Sequence, residues 1–261
     1  MRVRHGAPSD PVAWDSLVYI VSYAGHMLAL NVATGDTVWT FEGTPPADST
    51  VEGLLIDKPK PGMGKSNPLI HGDLVIFHGT NQKLHALDCR SGDLVWTHFI
   101  EVKVTTQIIL LQGTVVYGTE KGQLVYVGAS DGHTVGEQLL EVTPKREMRF
   151  LHDGLIFLAA QDGKNVREVI SIDPLDGREY WSASLDDPNP KAAWYSPRVH
   201  IWRDNAVVGS TTGQVTGYRA SNGSLSFRFR LDGRIRGIGS HEDILYVGTF
   251  EGLLYALRVA P

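Results

Sequence analysis

A short frame recurring along the chain constrains the fold more than any other feature. Ala29-Leu30-Asn31-Val32-Ala33-Thr34-Gly35-Asp36-Thr37-Val38-Trp39 matches Ala86-Leu87-Asp88-Cys89-Arg90-Ser91-Gly92-Asp93-Leu94-Val95-Trp96 position by position. The frame returns from Ser171 to Trp181, and weaker copies run from Gly217 to Phe227 and from Val127 to Gly136. The turn glycines Gly35, Gly92, Gly132, Gly177 and Gly223 are spaced by 57, 40, 45 and 46 residues. Upstream of each copy stand an alternating segment, a glycine turn and a second alternating segment, as in LVYIVSYAGHMLAL and ILYVGTFEGLLYAL. Alternation with a period of two, rich in Val, Ile, Tyr and Thr, marks strands, and no amphipathic helix is expected. A unit of this length with four strands is one propeller blade.

The expected fold is therefore all-β: a single six-bladed β-propeller of four-stranded antiparallel blades, one domain over residues 1–261. The blades fall near residues 11–43, 67–101, 105–142, 146–186, 195–232 and 234–261. Blade six stops after its third strand. Residues Pro11 to Ser22 align with Pro68 to Gly79, so the first inner strand already ends near Trp14 and Arg2 to His5 are spare. The expectation is that residues 2–5 complete blade six and close the ring, which removes exposed sheet edges.

The A-x-D-x-x-T/S-G-x-x-x-W frame resembles the repeat of the pyrroloquinoline-quinone-like (PQQ-like) propellers, over nearly the whole chain. The resemblance implies that the glycine turns between third and fourth strands and that the tryptophan docks between blades. Trp39, Trp96 and Trp181 match that position, Phe227 replaces it conservatively, and Gly136 departs from it. These rings are read as structural rather than as a quinone platform. The quinone enzymes of the family are described by eight blades, a calcium-bound cofactor and often paired cysteines. A chain with about six blades and one cysteine, Cys89, does not match them, so neither PQQ nor any other cofactor is expected.

The formal charge of −5 and a pI near 6.0 argue against a dedicated nucleic-acid partner. A single cysteine excludes an intramolecular disulfide framework and a cysteine-based zinc site. No apolar run resembles a signal peptide or a membrane span. The expectation is a soluble monomer, cytoplasmic as given and without a membrane partner. An extracytoplasmic domain of a longer or processed chain is the alternative.

Several motifs have a bland reading that outweighs the chemical one. Gly62-Met63-Gly64-Lys65-Ser66 ends like a phosphate loop, but Pro59 stands where its first glycine belongs and no helix follows. His71, His152 and His241 recur ahead of the first hairpin turn, one per blade, so no metal site is expected. Cys89 has Arg90 beside it but occupies a repeat turn. Asp36, Asp93, Asp153 and Asp243 read as turn carboxylates that cap backbone groups.

Function is expected at one mouth of the central channel, where inter-blade loops and second-to-third-strand turns meet. The long segment 44–66 and the segment 187–196 belong there, and irregular loops on a rigid scaffold are where binding lives. Lys65, Lys103, Arg146, Arg149, Arg198, Arg234 and Arg236 stand at the starts of inner strands, with Lys191 in a loop; Glu101, Glu147 and Asp187 are the nearby acids. The expected ligand-binding set is Lys65, Arg146, Arg149, Trp194, Tyr195, Arg198, Arg234 and Arg236. Such a basic funnel favours an anionic small molecule or an acidic protein segment. A non-catalytic binding or scaffold propeller is the first reading. The alternative is a lyase, cyclase or isomerase acting on an anionic small molecule, with His26 or His78 as the acid–base group; no nucleophile, base and orienter set is recognisable, so catalytic residues remain unassigned.

Overall fold

The computed structural model describes residues 9–22, 25–42, 67–79, 82–140, 143–150, 155–162, 165–174, 178–184 and 199–258, with residues 143–150, 158–162 and 165–168 described by their backbone alone. All regular structure among them is β, in six antiparallel sheets that each follow chain order. Sheet one holds β1 (Val12–Trp14), β2 (Leu17–Val21), β3 (His26–Asn31) and β4 (Thr37–Glu42), and sheet two β5 (Leu69–His71), β6 (Leu74–His78), β7 (Lys83–Asp88) and β8 (Leu94–Phe99). Sheet three holds β9 (Ile109–Leu111), β10 (Thr114–Gly118), β11 (Gln123–Gly128) and β12 (Thr134–Leu139). Sheet four holds β13 (Thr143–Phe150), β14 (Ile156–Asp162), β15 (Asn165–Ile172) and β16 (Glu179–Ser184), so its first strand begins ahead of the Arg146 boundary expected from the repeat. Sheet five holds β17 (Val199–Trp202), β18 (Asn205–Gly209), β19 (Gln214–Arg219) and β20 (Leu225–Arg230). Sheet six has three strands, β21 (Ile235–His241), β22 (Ile244–Thr249) and β23 (Leu254–Arg258). The strand expected from Arg2 to His5 lies outside the described residues.

The chain packs as two compact units, residues 1–120 with 124–137 and residues 121–123 with 138–261. Within each, second strands such as β6 and β18 are among the most buried, whereas β2 and β22 bury one face and β23, the third strand of sheet six, alternates exposed and half-buried positions. Fourth strands such as β4 and β20 alternate exposed and half-buried positions, and β8 does so apart from its buried Trp96. In the first unit Tyr19, Val21, Met27 and Phe77 form one core and Ile76, Leu84, Val115 and Tyr117 another. In the second unit Phe157, Val169, Trp181 and Val208 form one core and Trp202, Val215, Ile235 and Leu245 another.

The repeat frame folds into a docking device. The indole N–H of Trp39 donates to the carbonyl of Cys89 at 3.0 Å, that of Trp96 to Ala129 at 3.1 Å, and that of Trp181 to Ala220 at 2.7 Å, each in the next sheet. Each ring lies on the turn glycine of that sheet. A Cβ built on Gly92 would stand 2.6 Å from Trp39, and Gly132 and Gly223 meet Trp96 and Trp181 at the same distance. These glycines also take φ of +77°, +73° and +70°, so conformation and contact both require glycine.

Two side-chain caps close the same turn. Asp88 accepts from the N–H groups of Ser91 and Arg90 at 2.8 and 2.9 Å, and these bonds, that of Ser91 foremost, hold its carboxyl below the usual range. The residue before the glycine caps the N–H after it: Thr34 for Asp36, Ser91 for Asp93, Asp131 for His133 and Asn222 for Ser224. This corrects the expectation for Asp36 and Asp93. Their backbone is capped, and the Asp93 carboxylate takes the Ser91 hydroxyl at 2.7 Å. Asp243 instead pairs with Arg203, and Asp153 lies outside the described residues.

Candidate functional site

Of the positions set aside as structural, His71 and Cys89 are held by contacts, and His152 lies outside the described residues. His71 bonds Ser130 of the next sheet at 3.1 Å, and His241 is exposed at its hairpin turn. Cys89 is fully buried, burial pushes its thiol up, and its carbonyl accepts from both Tyr19 and Trp39 at 3.0 Å. Arg90 is spent on Asp73 at 3.3 Å and on the Trp14 ring. His78, proposed for proton transfer, is 6% exposed, and burial brings it down to about 4, which removes it from any solvent-facing site. His26 is half-buried at the start of β3, opposite Glu42.

Of the eight expected ligand residues, Lys65, Trp194, Tyr195 and Arg198 lie outside the described residues, and Arg146 and Arg149 are described by backbone alone. Both of the latter stand in β13, the first strand of sheet four. Its ladder steps from Lys145 opposite Ala159 to Met148 opposite Leu158, which leaves Arg146 and Glu147 in a bulge. In β21, the first strand of sheet six, the ladder steps from Ile235 opposite Thr249 to Gly237 opposite Gly248, which leaves Arg236 in a bulge. Among the described residues the ladders that β1, β5, β9 and β17 form with their second strands run unbroken. A bulge bends its strand and re-aims a side chain, and such features gather beside functional sites. Both first-strand bulges contain an arginine that the sequence had singled out.

Arg234 and Arg236 can be followed atom by atom. The backbone N–H and Nε of Arg234 donate to the two oxygens of Glu251 at 2.8 and 2.9 Å, and this holds the Glu251 carboxyl below its usual range. Both guanidinium groups lie against the Phe250 ring, Arg234 at 5.2 Å and Arg236 at 5.6 Å from its centroid, within cation–π range. Phe250 is 37% exposed. The base beneath is rigid: Ile235 is buried against Gly209, and its N–H donates to the Ser210 carbonyl at 3.1 Å. Lys103 pairs with Glu120 at 3.6 Å across its own sheet.

Phe250 and Glu251 were missed by the reading of the sequence. Their signal was present, since T-F-E-G is the second-to-third-strand turn of the last repeat and those turns share the side expected to bind. What arrangement the residues offer is a fixed, exposed cationic and aromatic surface.

Comparison with known proteins agrees with this architecture. The profile of outer membrane protein assembly factor BamB matches residues 1–111 and 102–229. BamB of Salmonella typhimurium is 24% identical over 157 residues, 59% of this chain and 35% of that protein. Quinoprotein alcohol dehydrogenase PedH of Pseudomonas putida is 22% identical over 208 residues, 76% of this chain and 32% of that protein. The chain thus spans about a third of the length of these curated relatives. The crystal structure of BamB from Moraxella catarrhalis superposes with a TM-score of 0.69 at 17% identity, covering 99% of this chain and 74% of that one. The computationally designed Ika8 protein gives 0.71 at 12% identity, over 96% and 70%. These likenesses show the fold, a β-propeller. With the profile reaching across most of the sequence, the chain belongs to the PQQ-like repeat family of outer membrane protein assembly factor BamB.

Proposed function

We propose that this protein is a non-catalytic interaction scaffold that takes an acidic segment of a partner protein on a basic surface. Membership of a family described by an assembly factor carries the class of function. The two arginine-bearing bulges of β13 and β21 support the chemistry of the partner. In this reading the six sheets are six blades of one ring, residues 2–5 supply the fourth strand of sheet six, and Lys65, Arg146, Arg149, Trp194, Tyr195, Arg198, Arg234 and Arg236 border one mouth of its channel. The protein works as a monomer. The family description favours an extracytoplasmic location; among the described residues no helix is long and apolar enough to cross a membrane.

The test compares wild type with the R198Q/R236Q double variant in a thermal-shift and calorimetric screen of carboxylates, phosphates and acidic peptides. Binding to the folded state raises Tm by mass action. Acidic peptides should stabilise wild type, and the double variant should lose that shift and its salt dependence. If no anion favours wild type over the variant, the reading fails.

A further inference from the structure

Fourth strands form the outer edges of their sheets, and β8 differs from the others in what it offers there. One of its faces is taken up by sheet three. Trp96 donates to the Ala129 carbonyl, and His98 bonds the Gly132 carbonyl at 3.1 Å and the Tyr117 hydroxyl at 3.2 Å. Val95, Thr97 and Phe99 alternate with these residues and stand on the opposite face, where Val95 and Phe99 are each 51% exposed. The same three residues turn their backbone outward. The Ile100 N–H donates to the Gln82 carbonyl at 2.8 Å, on the β7 side. Bonding direction alternates along an antiparallel strand, so the N–H and C=O groups of Val95, Thr97 and Phe99 point to the edge.

An exposed edge is normally blunted by charge. At the matching positions β4 ends on Glu42, β12 carries Glu137, β20 carries Arg228 and Arg230, and β16 has Ser182 and Ser184. No charged side chain occurs in β8, and its outward row is apolar at both ends. Laid antiparallel to itself about a two-fold axis at Thr97, this row is self-complementary. Val95 and Phe99 face Phe99 and Val95 of the second copy, and Thr97 faces Thr97. Aromatic–β-branched and Thr–Thr pairs are among the favourable cross-strand pairs, and like charges directly opposite are unfavourable. The same register would set Glu137 of β12 or Arg228 of β20 against itself, and Val38 of β4 against Glu42.

We propose that β8 is a self-association edge: two copies of this chain join antiparallel through Val95, Thr97 and Phe99, and their two four-stranded sheets become one continuous sheet. This goes beyond the scaffold reading and does not depend on it; the working monomer is the form below the dissociation constant. One strand pair makes a small joint, so a dissociation constant of roughly 10–1,000 μM is expected. Asp93 and Glu101 flank the joint and face each other at both of its ends, and each chain carries a formal charge of −5. Repulsion therefore opposes pairing, and salt tightens it.

The experiment is sedimentation equilibrium of the full chain across that concentration range, at low and high salt. Wild type should dimerise, more tightly at high salt. F99K should weaken the dimer roughly tenfold or more, since a lysine on an edge strand blocks pairing. V135K, at an exposed edge position of β12, should stay within about twofold of wild type. Mild oxidation of T97C should give a disulfide-linked dimer, because Cα atoms of a bonded pair stand about 5.5 Å apart, within disulfide reach. Wild type, whose Cys89 is buried, should give none. Urea midpoints close to that of wild type establish that the variants fold. A dimer that F99K leaves intact, or T97C that stays unlinked, overturns the proposal. A chain that stays monomeric overturns it too, and uptake of a synthetic LVWTHF peptide would then give the edge to a strand of another protein. The scaffold reading survives each of these outcomes, because its own test is an acidic peptide whose binding weakens with salt.

Discussion

Alanine at Gly132 and alanine at Gly35 should damage this protein unequally, although the two glycines hold the same place in the repeat. Their φ values are nearly the same, +73° and +72°, so each substitution forces an L-residue into the left-handed region at about 1–2 kcal/mol. Beyond that the sites differ. A Cβ on Gly132 stands 2.6, 2.8 and 3.2 Å from ring atoms of Trp96, whose indole is fixed by its bond to the Ala129 carbonyl. Among the described residues, nothing lies within 4 Å of a Cβ on Gly35. Overpacking a fixed ring costs a further 1–3 kcal/mol or so. G132A should therefore melt below G35A, by roughly 2–4 °C per kcal/mol in a domain of this size. The assay is paired thermal and urea denaturation of both variants, with G92A and G223A as repeats of the same clash on Trp39 and Trp181. Equal losses at Gly35 and Gly132 would refute the claim that the tryptophan-on-glycine contact carries the docking of sheets.

Acid should weaken the fold through sheet two, where burial brings both His78 and His85 from 6.5 down to about 4. Folded values below unfolded ones mean that the unfolded chain takes protons first, so this stability is present above pH 6.5 and is lost as pH falls toward 4. The loss is on the order of 3 kcal/mol per ring at most, and H85Q should flatten a urea-midpoint profile across that window. Deleting residues 1–8, just ahead of the buried Ser9 that caps Val21, should lower Tm markedly if they complete sheet six; an unchanged melt defeats ring closure by that segment. Adding PQQ with calcium should change neither Tm nor the absorption spectrum beyond that of the free cofactor, and a saturable shift would reverse the assignment away from the quinone enzymes.

The all-β class and the strand positions were readable because alternation, turn glycines and the tryptophan frame are local signals repeated many times. Five first hairpins close on two-residue turns whose first residue has a left-handed φ, at Asp15, Gly72, Gln112, Arg203 and Glu242. Asp36 and Asp93 show where the local reading slips: the capping oxygen could stand before or after the glycine, and only the fold of the turn decides. The candidate site was less legible. The Arg234–Glu251 pair spans 17 residues and depends on the register of β21 against β22, and a bulge is a property of a ladder rather than of a strand. Arginine at the start of an inner strand can therefore be noticed in sequence, whereas its pairing and its place in or out of the ladder cannot.

Sheet five shows why the bulge falls where it does. Its fourth strand carries Phe227 in place of tryptophan, and that ring turns inward over Gly217, edge-on to Trp202 and stacked on Phe229. Phe227 and Phe229 still pack against the core that holds Ile235, Leu245 and Val247 of sheet six, and the first strand adds polar contacts. Trp202 donates to the Glu242 carbonyl at 3.1 Å, His200 bonds Ser240 at 2.9 Å, and Arg203 pairs with Asp243. These contacts fix β21 at its hairpin end, while the Ile235 N–H on the Ser210 carbonyl fixes it at the other. A strand held at both ends by its neighbour cannot slide to absorb an extra residue, so the residue leaves the ladder between them, at Arg236. The register of β21 is thus set by sheet five, through Trp202, His200 and Arg203 at the hairpin end and through Ser210 at the other.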